Sequence, residues 1–67
     1  MITIHLNEQL LNIDKNTNIS QLLLQKNYPQ TGIAVAINQQ IISKTLWEEQ
    51  QLRDGDNILI IQATQGG

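Results

Sequence analysis

The chain ends in two glycines, Gly66 and Gly67, and these are the residues whose type and position most clearly suggest chemistry. Neither has a side chain, so any function they share depends on the backbone and on the carboxylate of Gly67. A carboxylate with no Cβ beside it can enter a narrow cleft. Glycine forms about 7% of average proteins, so such a pair arises by chance at a given place about 0.5% of the time. The alternative is a frayed terminus without a role; we predict that the terminus is the reacting group.

The chemistry predicted for Gly67 is activation by a partner enzyme. Carboxylates are poor acyl donors, but attack of the carboxylate on the α-phosphate of ATP gives an acyl-adenylate with a good leaving group. A sulfur or nitrogen nucleophile can then attack the carbonyl. Gln65 and Gly66 are the expected recognition residues beside it. This chain needs no catalytic residue or bound cofactor of its own, so we do not expect an enzyme.

Composition excludes several other classes of function. The 67 residues include no Cys and one His, so neither a disulfide framework nor a His/Cys metal cluster is expected. A net charge of -2 with scattered basic residues argues against nucleic acid as a partner. The sequence has no signal-peptide pattern and no apolar run of membrane-spanning length. We therefore expect a cytoplasmic (or plastid stromal) domain that binds no membrane.

Hydrophobic periodicity predicts five strands and one helix. Alternation over Ile2 to Leu6, a turn near Asn7, and alternation to Ile13 predict a β-hairpin. The helical spacing of Ile19, Leu22, Leu23 and Lys26 predicts a helix with one apolar face. Thr17 or Asn18 is predicted to cap this helix and Pro29 to end it. The later strands are predicted at 33–37, 41–42 and 58–61, with turns at 38–40 and 54–56. The segment 43–51 is predicted to be an irregular turn with an apolar anchor.

This order, β-β-α-β-β-β, predicts an α+β domain with a mixed sheet and one crossing helix, which is the β-grasp (ubiquitin-like) fold. The last strand is expected beside the first, in parallel. The domain is predicted over 1–62, followed by a flexible tail over 63–67. The predicted core is aliphatic and consists of Ile2, Ile4, Leu6, Leu11, Ile13, Ile19, Leu22, Leu23, Val35, Ile37, Leu52, Ile58 and Ile60.

A partner-binding patch is predicted on the sheet face away from the helix. Alternation along the third and last strands places Ala34, Ala36, Leu59 and Ile61 on that face. Small residues beside large ones would form a flat apolar surface next to the tail, and such surfaces usually mark interaction sites. The alternative is that the turn around Leu46 and Trp47 folds over part of it.

The remaining candidate residues favour ordinary structural roles. His5 has no predicted acid or nucleophile partner, so a solvated side chain is expected. Asp54 and Asp56 flank Gly55 as in part of a calcium loop, but the later ligands are missing, so a turn is expected. The adjacent acids at 48–49 are expected on the surface. Trp47 is expected to cover the edge of the core.

Taken together, these features resemble the ThiS family of sulfur carriers in thiamine biosynthesis. The resemblance covers the whole chain and depends on the run from Ala34 to Ile41, on Trp47, on 54–61 and on the terminal diglycine. Two positions depart from the common family pattern. Glu8 occupies a hairpin position where glycine or aspartate is frequent, and Gln65 replaces a small or apolar residue before the diglycine.

The resemblance implies a complete reaction sequence for the Gly67 carboxylate. An E1-like adenylating enzyme of the ThiF type would use ATP and magnesium to form the acyl-adenylate. Sulfur from cysteine, carried as a persulfide on a cysteine desulfurase or a rhodanese-type protein, would convert it to a thiocarboxylate. Thiazole synthase, of the ThiG type, would take the sulfur into the thiazole of thiamine. The chain would be a recyclable co-substrate.

Three other functions remain compatible with the sequence. The small subunit of molybdopterin synthase has the same fold and chemistry, although its chains tend to be longer, and the 38–40 turn with Trp47 favours the thiamine carrier. A ubiquitin-like modifier would instead be joined to lysines of other proteins. A plain β-grasp interaction module would keep its function without Gly67.

Overall fold

The computed structural model describes residues 1–62, which form one five-stranded sheet, an α-helix and a short 3-10 helix. The strands are β1 (Ile2–Leu6), β2 (Gln9–Ile13), β3 (Ile33–Ile37), β4 (Gln40–Ile42) and β5 (Asn57–Gln62); the α-helix is α1 (Ile19–Gln25), and the 3-10 helix spans Lys44–Leu46. The predicted tail at 63–67 lies outside the described residues and stays a prediction.

The strand order across the sheet is β2-β1-β5-β3-β4. The first and last strands are parallel neighbours, with His5 opposite Asn57 and Leu6 opposite Ile58, and the other pairs are antiparallel. The mixed sheet, the single α-helix and the β-β-α-β-β-β order predicted from the sequence are confirmed. The arrangement makes β5 the central strand, so the chain continues toward its C-terminus from the middle of the sheet.

Both hairpins close through two-residue turns with left-handed backbone. Asn7 and Glu8 have φ of 48° and 73°, and Asn38 and Gln39 have φ of 52° and 74°. Positive φ at both central residues is typical of the type I′ turn, whose twist matches that of the flanking strands. Asparagine tolerates this conformation at the first position, whereas Glu8 and Gln39 take the second position, which glycine fills most easily.

The helix begins at a complete capping box. Asn18 accepts a hydrogen bond from the Gln21 N–H at 2.8 Å, and the Gln21 side chain accepts one from the Asn18 N–H at 3.0 Å. This reciprocal pair satisfies N–H groups that a helix start leaves without partners. Of the two predicted capping residues, Asn18 is therefore the one that caps.

The core lies between the helix and one face of the sheet. Ile19, Leu22 and Leu23 of α1 are fully buried against a cluster that includes Ile4 and Ile58. The predicted core is confirmed except at Ile2 and Leu11, which are only partly buried and pack at its margin. The reason is their position, because Ile2 begins its strand and Leu11 belongs to the edge strand β2.

Trp47 lies deeper than predicted. Its side chain is 2% exposed and belongs to the core cluster, and its indole Nε1 donates a hydrogen bond to the Ile42 carbonyl at 3.1 Å. The segment around it contacts the start of the helix, since Asn18 Nδ2 donates to the Glu48 carbonyl at 3.1 Å. The turn region therefore closes the helix side of the sheet.

Candidate functional site

The sheet face away from the helix carries exposed apolar side chains along β5. Leu59 and Ile61 are each 48% exposed, while the alternating residues Ile58 and Ile60 are buried in the core. On the neighbouring strand β3, Ala36 lies opposite Leu59 and Ala34 lies opposite Ile61. The four residues proposed from the sequence are thus cross-strand neighbours on one face, which we call the open-face patch.

The two alanines form the floor of this patch. Ala36 is only 5% exposed because larger neighbours flank it on both sides, Leu59 on β5 and Ile41 on β4. Ile41 is 64% exposed and shares the face, so it extends the apolar row across three strands. Sequence reasoning missed Ile41, although its antiparallel register with Ala36 across a two-residue turn could have indicated it.

On the side of β1, a side chain and not a strand holds the C-terminal half of β5, while β3 pairs with its other side as far as Gln62. The Ile60 N–H donates to Asn7 Oδ1 at 2.8 Å, and Asn7 Nδ2 donates to the Ile60 carbonyl at 3.5 Å. The same Nδ2 donates to the Tyr28 hydroxyl at 3.3 Å. We call these contacts the Asn7 clasp. Nothing in the sequence pattern pointed to it, because the clasp joins residues 53 positions apart.

A second asparagine holds the beginning of β5. Asn38 Oδ1 accepts from the Asn57 N–H at 3.0 Å, and its Nδ2 donates to Asp56 Oδ1 at 3.1 Å. Asn7 and Asn38 occupy the same position in their respective turns. The two hairpin turns therefore fasten the central strand at two different points.

The acidic pair at Asp54 and Asp56 organises a turn, as predicted. Asp54 Oδ1 accepts from the Thr3 N–H and Asp56 Oδ2 accepts from the Arg53 N–H, each at 2.8 Å. Gly55 has φ of 89° between them. Within residues 1–62, no group of three or more His, Asp or Glu side chains could hold a metal ion.

The other candidate residues are not members of the open-face patch or lie outside the described residues; His5 is on the adjacent strand β1, opposite Asn57. The His5 side chain is exposed on β1, and Glu48 and Glu49 are exposed beside the buried Trp47. Gln65, Gly66 and Gly67 fall outside the described residues, so their predicted roles stay predictions. No helix among residues 1–62 has the length and apolar character needed to cross a membrane.

Comparison with known proteins identifies the family. The family model described as the ThiS family matches residues 3–67. The chain belongs to the ThiS family. It is also 38% identical over 61 residues to the sulfur carrier protein ThiS of Escherichia coli (strain K12), covering 91% of this chain and 92% of that protein. The family resemblance seen in the sequence is therefore confirmed, and with it the general role of a sulfur carrier that is not itself an enzyme.

Two solved structures support the fold independently. The crystal structure of the thiamine biosynthesis protein ThiS from Geobacter metallireducens superposes with a TM-score of 0.83, covering 98% of this chain and all of that one. A solution structure from the same organism gives a TM-score of 0.76, with 98% and 88% covered. Sequence identity is 19% in both cases, so these similarities establish the β-grasp fold and nothing finer.

Proposed function

We propose that this protein carries sulfur for thiazole formation in thiamine biosynthesis, as a thiocarboxylate on Gly67. The observation that carries the proposal is the family match, which extends through the terminal diglycine to residue 67. The E. coli relative, a sulfur carrier protein, supports the same role. The proposed setting is the cytoplasm or a plastid stroma.

The first proposed step is adenylation by a ThiF-type enzyme, which supplies ATP and magnesium. The Gly67 carboxylate attacks the α-phosphate, the bond to the β-phosphate oxygen breaks, and pyrophosphate leaves. This chain contributes a terminus with no Cβ at residues 66 and 67, so that it fits a narrow cleft. Gln65 and Gly66 are the proposed contacts of that cleft.

The second proposed step is sulfur transfer. The terminal sulfur of a persulfide, on a cysteine desulfurase or a rhodanese-type donor, attacks the acyl carbonyl and AMP leaves. A thiol then attacks the donor's sulfur in the resulting acyl disulfide. This releases the thiocarboxylate and leaves a disulfide on the donor side. A ThiG-type thiazole synthase is the proposed acceptor of the sulfur.

The open-face patch is the proposed docking surface for these partners. Leu59 and Ile61 are half-exposed on the strand that leads to the tail. When fully extended, residues 62–67 span about 20 Å. A partner seated on the patch could therefore receive Gly67 in an active site at that distance. An exposed apolar surface beside a reactive terminus lets the partner bind the carrier and holds the carrier in one orientation.

The tail proposal is tested by ATP–pyrophosphate exchange with purified ThiF-type enzyme. Gly67→Val should abolish exchange because its Cβ branch blocks the cleft, while the free energy of unfolding stays unchanged. Exchange at the wild-type rate in Gly67→Val would contradict the proposed role of the terminus.

The docking proposal is tested in the same assay with a matched pair of leucine variants. Leu59→Ala lies in the patch, whereas Leu24→Ala lies on the helix and is 66% exposed. We expect a higher KM for the carrier in Leu59→Ala and an unchanged KM in Leu24→Ala. Equal KM values in both variants would place the docking surface elsewhere.

A further inference from the structure

We propose that Asn7 is a positioning residue for the chemistry at Gly67, acting through β5. The inference rests on the proposed function, because it concerns how the reactive terminus and the open-face patch are presented together. The Asn7 clasp supplies the hydrogen bonds of β5 on the β1 side at Ile60, while β3 pairs with the other side of the strand as far as Gln62. It thereby helps to fix the end of β5 from which the chain continues toward Gly67.

The clasp takes the place of backbone hydrogen bonds that β1 does not make to the second half of β5. The β1 strand pairs with β5 as far as Leu6 opposite Ile58, and β1 then turns away at Asn7. The Asn7 N–H still donates to the Ile58 carbonyl at 2.9 Å. Its side-chain amide then supplies an acceptor and a donor to Ile60, as the next residue of a strand would do. One residue thus extends the parallel ladder beyond the end of its own strand.

The amide is held in place by its surroundings. The left-handed backbone at Asn7, with φ of 48°, belongs to the turn, and the Tyr28 hydroxyl accepts from Nδ2 on the other side. Tyr28 itself packs against the core cluster. Asn7 is partly buried, and hydrogen bonds shielded from water are stronger than exposed ones. The clasp is therefore a preorganised element.

The clasp acts on both parts of the proposed site. Ile60 lies between Leu59 and Ile61, the two exposed members of the patch. If the backbone of Ile60 moves away from the sheet, the orientation of the Leu59 and Ile61 side chains becomes variable. The position from which the tail begins becomes variable as well. The pairing with β3 continues to Gln62, so loss of the clasp loosens β5 on one side only. Local opening near the end of a strand has a low free-energy cost, and we expect the loss of these hydrogen bonds to raise the population of forms that bind the activating enzyme poorly.

The test compares Asn7→Gly with Asn38→Gly in steady-state adenylation, with the concentration of the full-length carrier varied. Glycine preserves the turn at both positions because it accepts positive φ. Asn38→Gly removes the equivalent contact at the beginning of β5 and serves as the matched control. Asn7→Asp keeps the acceptor for the Ile60 N–H and loses the donor.

We expect Asn7→Gly to raise the KM for the carrier about 3- to 10-fold with unchanged kcat, since a smaller fraction of molecules is competent to bind. Asn7→Asp should lie between Asn7→Gly and the wild type, and Asn38→Gly should keep the wild-type KM. Hydrogen exchange at the Ile60 amide should be faster in Asn7→Gly and unchanged in Asn38→Gly. All variants are assayed well below their unfolding midpoints.

Four results would contradict these proposals, and each contradicts a different part of them. An unchanged KM for Asn7→Gly, with an active wild type, overturns the positioning role and leaves the proposed function intact. An equal rise of KM in Asn38→Gly shows a general loss of stability instead of positioning. A wild-type chain that the enzyme does not adenylate contradicts the proposed function itself, whereas unchanged exchange at Ile60 contradicts the clasp alone.

Discussion

Replacing Ile58 with alanine should destabilise the protein far more than the same change at its neighbour Leu59. Ile58 is fully buried, with Leu6 opposite it on one side and Ile37 on the other. Leu59 is 48% exposed on the open-face patch. The two residues differ by one position in the same strand, so the comparison holds the backbone environment nearly constant.

The magnitude follows from what each substitution removes from the core. At Ile58 the lost carbons contribute about 0.8 kcal/mol each, and the remaining cavity adds to this, for a total of about 2–5 kcal/mol. A domain of this length has a free energy of unfolding of roughly 3–10 kcal/mol. Ile58→Val, at about 0.5–1.5 kcal/mol, therefore serves as the graded variant that stays folded. Leu59→Ala should lower the free energy of unfolding by about 1 kcal/mol or less.

The assay uses a probe that the fold provides. Trp47 is the only tryptophan and is 2% exposed, so its fluorescence should report global unfolding in urea. The expected order of stability is wild type, then Leu59→Ala, then Ile58→Ala, with Ile58→Val above Ile58→Ala. A Leu59→Ala variant less stable than Ile58→Ala would refute the assignment of the two faces of β5.

Two further predictions concern local backbone. Glu8→Gly should stabilise the protein by about 0.5–1 kcal/mol, because Glu8 has φ of 73° at a turn position where a side chain is strained; a higher urea midpoint would show it. A lower midpoint would contradict the turn assignment. Asn18→Ala should cost about 1 kcal/mol through loss of the helix cap, measured in the same titration. An unchanged urea midpoint in Asn18→Ala would mean that the capping box contributes nothing to stability.

The elements of this fold could be predicted because their signals are local. Alternation indicated β1 and β2, short apolar runs indicated β3 and β5, helical spacing indicated α1, and an asparagine marked each hairpin turn. The parallel pairing of β1 with β5 then followed from the order of elements and general rules of connection. Predicting these features requires only the pattern of neighbouring residues and the handedness of the connections between strands.

The contacts that shape the candidate site are not local, and sequence reasoning missed them. The Asn7 clasp requires that the end of one strand lie beside the middle of another, which no short pattern encodes. Exposure of Ile41 and burial of Ala36 depend on cross-strand register. Trp47 is buried because its segment folds against the start of the helix, and that contact was not visible in a polar stretch of sequence.

The sulfur that we propose on Gly67 can be detected by intact mass spectrometry. The protein is incubated with its ThiF-type enzyme, ATP, magnesium and a persulfide donor, and the C-terminal peptide is then fragmented. We expect a species heavier by the mass difference between a sulfur and an oxygen atom, with the change localised to Gly67. An unmodified mass with an enzyme that is active on another carrier, or a sulfur located at any other residue, would contradict it.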